Sequence, residues 1–131
     1  MARHQARFRY NLRIVFAIAA EKTITMVQEL TPKEVKARLD AGEDLMIIDV
    51  REEWELGESK LPNIVHIPMD EIPMSLDQIP EDKPVVIVCR TGSRSDQVSF
   101  WLEGNGYGNI INLDGGMNAW VKLDPSVGRQ Y

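Results

Sequence analysis

The sequence predicts a small α/β sheet with helical cover, and three observations carry that expectation. Short apolar runs recur at 45–50, 65–67, 85–88 and 110–113, each of strand length. Helical patterns separate them, at 32–41 and from Ser93 onward. Proline and glycine punctuate the intervals between the two kinds of segment.

Each element has its own local cause. Residues 1–24 join basic side chains to the run Ile14-Val15-Phe16-Ala17-Ile18-Ala19-Ala20, seven residues against the about 20 needed to span a bilayer. An extension over 1–24 is expected to stand apart from a domain over 25–131. Its readings are a flexible extension, an amphipathic surface helix, upstream translated sequence, or a weak signal segment ending near Ala17-x-Ala19. Thr31 then suits an N-cap, Pro32 the first helical turn, and Glu34 completes a capping box. Val35 and Leu39 share a face, and Gly42 ends the helix in the left-handed conformation.

Leu45-Met46-Ile47-Ile48-Asp49-Val50 has the continuous apolar character of a strand covered on both faces. Asp49 and Arg51 fall at its exit. Val65-His66-Ile67 is a second short strand, stopped by Pro68, and 69–79 reads as short helical turns limited by Pro73 and Pro80. Val85-Val86-Ile87-Val88 is the strongest central strand and delivers Cys89 to its carboxyl end. A turn follows, then a helix with Val98, Trp101 and Leu102 on its apolar face, ending near Gly104 or Gly106. Ile110-Ile111-Asn112-Leu113 forms another strand. Gly115-Gly116 shapes the turn into a last short helix carrying Met117, Trp120 and Val121.

Composition narrows the function. Hydrophobic residues at 44% and charged residues at 27% exclude a fibrous or wholly disordered chain. One cysteine and two histidines leave no disulfide and no Cys/His metal cluster. The net charge of −5 divides into +4 over residues 1–24 and −9 over 25–131, so the body repels nucleic acid.

Cys89 stands where a buried strand meets a polar turn and a helix. Successive amides in such a turn form an anion-binding nest, and the helix amino terminus adds favourable potential. With Arg90 and Arg94 they favour thiolate, the nucleophilic form. The arrangement suits attack on an electrophilic sulfur or phosphorus carried by an oxyanion. No histidine is adjacent and an arginine is no general base, so activation is electrostatic.

From about Val27 to Lys122 the chain resembles the rhodanese family of single-domain sulfurtransferases. The matching stretches are Ile47-Ile48-Asp49-Val50-Arg51-Glu52, the Leu61-Pro62 to Ile67-Pro68 spacing, Cys89-Arg90-Thr91-Gly92-Ser93-Arg94-Ser95, and Leu113-Asp114-Gly115-Gly116-Met117-Asn118-Ala119-Trp120. The resemblance implies a three-layer α/β arrangement, a central mostly parallel sheet of about five strands flanked by helices. It implies that Cys89 takes a sulfane sulfur from thiosulfate or a similar donor and passes it from a persulfide to cyanide, a thiol or dithiol, or a protein acceptor. Arg90, Thr91, Gly92, Ser93 and Arg94 then surround the outer sulfur, with Ser95 closing the loop, and the arginines hold the departing sulfite. No metal or organic cofactor is implied.

A related phosphatase-like fold uses a loop one residue longer, so the four residues between Cys89 and Arg94 favour sulfur over phosphate or arsenate chemistry. A non-enzymatic persulfide carrier is the alternative with the same loop. Asp49 and Arg51 are expected to support the loop from a neighbouring strand end. Asn63 stands where the family often has glycine, and His66 reads as a packed strand residue. Trp54, Trp101 and Trp120 read as packing residues, and Glu52, Glu53, Glu55 and Glu58 as a solvated acidic face. A reducing cytoplasm suits a thiol that must stay available, and export or a periplasmic location is the alternative if the first residues act as a signal.

Overall fold

The computed structural model describes the backbone of residues 9–16 and 22–131, and side chains from residue 27. Six strands form one sheet: β1 (Arg9–Phe16), β2 (Lys22–Leu30), β3 (Met46–Asp49), β4 (Val65–His66), β5 (Val85–Val88) and β6 (Ile110–Leu113). Their order is β1-β2-β6-β5-β3-β4. β1 pairs antiparallel with β2, and the five strands from β2 to β4 run parallel.

The expected parallel sheet of about five strands is present. The two amino-terminal strands have a sequence cause in alternating polar and apolar residues, seen in Arg9-Tyr10-Asn11-Leu12-Arg13-Ile14 and Thr23-Ile24-Thr25-Met26. The boundary expected between residues 24 and 25 falls inside β2. The rest of the extension, 1–8 and 17–21, lies outside the described residues, and so does the cleavage position considered near Ala19.

Helix α1 spans Pro32–Asp40 and opens as the sequence predicts: Thr31 Oγ1 accepts from the Glu34 amide while Glu34 accepts from the Thr31 amide. Gly42 follows with φ 81°. Helix α2 spans Ser93–Gly104 and α3 spans Gly116–Leu123. The 69–79 region is two 3₁₀ turns, Met69–Met74 and Leu76–Gln78. Asn63 adopts φ 58°, a left-handed angle that asparagine tolerates better than most residues.

Alternation along β5 divides the core into two layers. Val85 and Ile87 join Ile48, Val98, Leu102 and Ile110 on the α2 side. Val86 and Val88 join Leu30, Val35, Leu113, Met117 and Trp120 on the side of α1 and α3. Trp120 is core, as expected. Trp101 is not: Val98 and Leu102 occupy the α2 face against the sheet, and the residue between them lies at the rim, 38% exposed. No helix among the described residues is long and apolar enough to cross a membrane.

Candidate active site

Four segments converge at the carboxyl ends of the strands: the exit of β3, the 3₁₀ turn Glu53–Gly57, the 89–95 loop, and the turn into α3. Ligands of parallel sheets gather at this end.

Cys89 is buried at the exit of β5. Its Sγ accepts the Gly92 amide at 3.1 Å and lies 3.2 Å from Ser95 Oγ. Gly92 reaches this position with φ 98°, a conformation that side-chain-bearing residues rarely adopt. Ser95 is fully buried, whereas Arg90, Thr91 and Ser93 are exposed.

The loop is held from behind by α3. Met117 N donates to Cys89 O at 2.8 Å and Asn118 N to Arg90 O at 3.0 Å. These bonds draw the loop carbonyls toward α3. Gly116 makes the approach possible: at φ 60°, a Cβ there would lie 2.5 Å from Cys89 O and 2.6 Å from the Arg90 carbonyl. Gly115-Gly116 therefore does more than shape a turn, since Gly116 is also where two backbones touch.

Arg94 turns to Glu55, which takes both guanidinium nitrogens at 2.7 Å. This corrects the acidic-face reading for Glu55, which is 3% exposed. The Arg94 hydrogen bonds hold the Glu55 carboxyl down at about 2, against the cost of burial and with help from the Tyr131 hydroxyl and the Glu52 amide. The same pairing raises Arg94 further above its ordinary value.

Asp49 and Arg51 form a buried pair. Arg51 Nε and Nη2 reach the Asp49 carboxylate, with Nη2 to Oδ2 at 2.8 Å. Its remaining donors go to Glu55 O at 3.1 Å, Ser59 O at 2.7 Å, Ser59 Oγ at 3.2 Å and the Tyr131 hydroxyl at 3.0 Å. Arg51 thus fixes the segment that carries Glu55, and through it reaches Arg94. His66 packs here as a strand residue, its Nε2 2.7 Å from Arg51 O.

Sequence reasoning missed Glu55 and Tyr131. Tyr131 donates its hydroxyl hydrogen to Glu55 Oε1 at 2.7 Å, and burial pushes its phenol above the ordinary value, so it remains a donor. Its ring meets Trp54 edge-on at 5.8 Å and lies 4.7 Å from the Arg90 guanidinium carbon. Trp54 itself is 65% exposed, and its packing is against the tyrosine at the surface. The only local signal is an aromatic residue after the polar pair Arg129-Gln130, and nothing nearby in the chain ties it to the loop.

Residues 31–123 match the family model described as the rhodanese-like domain. A sulfurtransferase of Allochromatium vinosum is 38% identical over 97 residues, covering 74% of this chain and 91% of the relative. The thiosulfate sulfurtransferase GlpE of Pseudomonas syringae is 27% identical over 102 residues, covering 78% of this chain and 94% of its own length. Among solved structures, a rhodanese-like domain protein from Staphylococcus aureus superposes with TM-score 0.66 at 38% identity, over 70% of this chain and 89% of that one.

Proposed function

The chain belongs to the rhodanese-like domain family, and from that membership we propose that it is a sulfurtransferase carrying sulfane sulfur as a persulfide on Cys89. Thiosulfate is the donor, and cyanide or a thiol the acceptor. The observation that carries the reading is the Gly92 amide donated to Cys89 Sγ at 3.1 Å, in a loop whose carbonyls are tied to α3. Donors aimed at sulfur favour negative charge there, first as thiolate and then as persulfide.

In the first half-reaction the Cys89 thiol loses its proton to solvent and the thiolate attacks the outer sulfur of thiosulfate. The donor's S–S bond breaks and sulfite leaves with the bonding pair. In the second, cyanide or a thiolate attacks the outer sulfur of the persulfide, forming thiocyanate or an acceptor persulfide. The electron pair of the broken bond restores the Cys89 thiolate.

Arg90 supplies positive charge for the anionic donor, Arg94, its charge balanced by Glu55, braces the loop, and Thr91, Gly92 and Ser93 supply loop backbone. The Ser95 hydroxyl, 3.2 Å from Sγ, is the second polar partner of the sulfur. Asp49 and Arg51 support the loop indirectly, through Glu55. The scheme needs no metal or organic cofactor. A protein thiol is an acceptor of the same chemistry, and a reducing cytoplasm keeps the nucleophile available.

Intact mass after incubation with thiosulfate tests the reading. Wild-type protein gains one sulfur atom and loses it to cyanide over many turnovers, while Cys89→Ser gains none. An unmodified wild-type mass sinks the proposal. A single loading that no acceptor discharges favours a persulfide carrier.

A further inference from the structure

We infer that Tyr131 is a positioning residue for Arg90, fixing that cation at the mouth of the Cys89 loop where an anionic donor arrives. The inference deepens the sulfur-transfer reading and rests on it for the charge of the donor.

Five contacts hold the tyrosine, at its backbone, its hydroxyl and its ring. Its amide donates to Asn118 Oδ1 at 3.3 Å, and its carbonyl accepts Asn118 Nδ2 at 3.2 Å. Its hydroxyl sits between Arg51 Nη1, at 3.0 Å, and Glu55 Oε1, at 2.7 Å. Trp54 closes on the ring at 5.8 Å with planes 71° apart. Backbone, ring edge and hydroxyl are therefore all anchored before the ring meets Arg90.

The Arg90 guanidinium carbon lies 4.7 Å from the ring centroid, within cation–π range. Asn118 closes the circuit, because its own amide donates to Arg90 O at 3.0 Å while its side chain holds the Tyr131 backbone. Arg90 is thus held at both ends, its carbonyl by α3 and its guanidinium by the ring. An exposed arginine without such a platform spreads its charge over many rotamers. Tyr131 also lies outside residues 31–123, so the arrangement adds to the matched domain from beyond its edge.

Alkylation of Cys89 by iodoacetate and by iodoacetamide separates anion steering from nucleophilicity, because the two reagents differ in charge. The ratio of their rates is read on the thiol alone and does not depend on sulfur transfer. Arg90→Met, which removes the charge, is expected to lower the iodoacetate-to-iodoacetamide ratio by about threefold, the scale of one unit charge acting about 6 Å away through water. Tyr131→Phe, which keeps the ring, retains the wild-type ratio. Tyr131→Leu, which frees the cation without removing it, lowers the ratio by less, and the double variant falls no further than Arg90→Met.

A wild-type ratio in Tyr131→Leu or in Arg90→Met, or additive losses in the double variant, overturns the inference. If Tyr131→Leu does not fold, Asn118→Ala takes its place: it releases the Tyr131 backbone while leaving the buried hydroxyl contacts, it should lower the ratio, and an unchanged ratio overturns the inference. Loss of persulfide formation in wild-type protein would overturn the sulfur-transfer reading while leaving these ratios intact.

Discussion

Arg94 and Glu55, 39 residues apart in the chain, meet through two parallel hydrogen bonds of 2.7 Å each. The pair joins the first turn of α2 to the 3₁₀ turn after β3, so the reactive loop is braced against a segment of different sequence origin. Bidentate arginine–carboxylate contacts fix orientation as well as distance.

This pair makes stability depend on acid. The folded Glu55 carboxyl holds its charge down to about 2, against an ordinary value of 4.5. Its contribution is therefore complete above the unfolded value and is lost as pH falls toward the folded one. Urea denaturation should show a decline of about 2–3 kcal/mol between about pH 5 and about pH 2 from this group. Glu55→Gln should lose a similar amount at neutral pH and flatten that part of the profile.

Gly116→Ala should damage folding and chemistry together. The added methyl meets the Cys89 and Arg90 carbonyls, and φ 60° disfavours any side chain. A loss of about 2 kcal/mol or more is expected in thermal melting, with sulfur loading slowed in the surviving folded protein. Gly42→Ala is the comparison: its φ of 81° is strained, but no atom lies within 4 Å of the new methyl.

Arg51→Met should cost about 3–5 kcal/mol in chemical denaturation, because it leaves Asp49 charged and buried without its partner. Asp49→Asn together with Arg51→Met should recover part of that loss. The double-mutant cycle measures the pair directly.

Ser95→Ala removes the hydroxyl 3.2 Å from Cys89 Sγ at a fully buried position. Stability should change by about 1 kcal/mol. Single-turnover sulfur loading, followed by intact mass, should slow by about tenfold or less, the scale of one hydrogen bond lost at a charged centre.

The sequence makes local causes visible and leaves distant partners hidden. The Thr31 and Glu34 capping box, the β5 run and the Cys89 turn each depend on neighbours in the chain, and each appears at the expected residues. Glu55 looks solvated among Glu52, Glu53 and Glu58 because its partner Arg94 lies far along the chain. Trp101 looks like core because three apolar residues fall within one turn, while the sheet has room for Val98 and Leu102. β2 is obscured because its alternation mixes threonines with apolar residues and runs straight into the capping signal at Thr31. Tyr131 belongs to the site only through tertiary contacts with Arg51, Glu55 and Arg90.

The place of β5 in the sheet sets a difference in timescale within the site. β5 has a parallel neighbour on each side, β3 and β6, and is buried throughout. Amide hydrogens on such a strand exchange with solvent chiefly when the whole domain opens. Gly92 is different: its amide hydrogen is held by the Cys89 sulfur, outside any ladder of backbone bonds. Hydrogen exchange at Gly92 is therefore a direct reporter of the chemical state of that sulfur, set against a nearly silent background in the strand that leads into it.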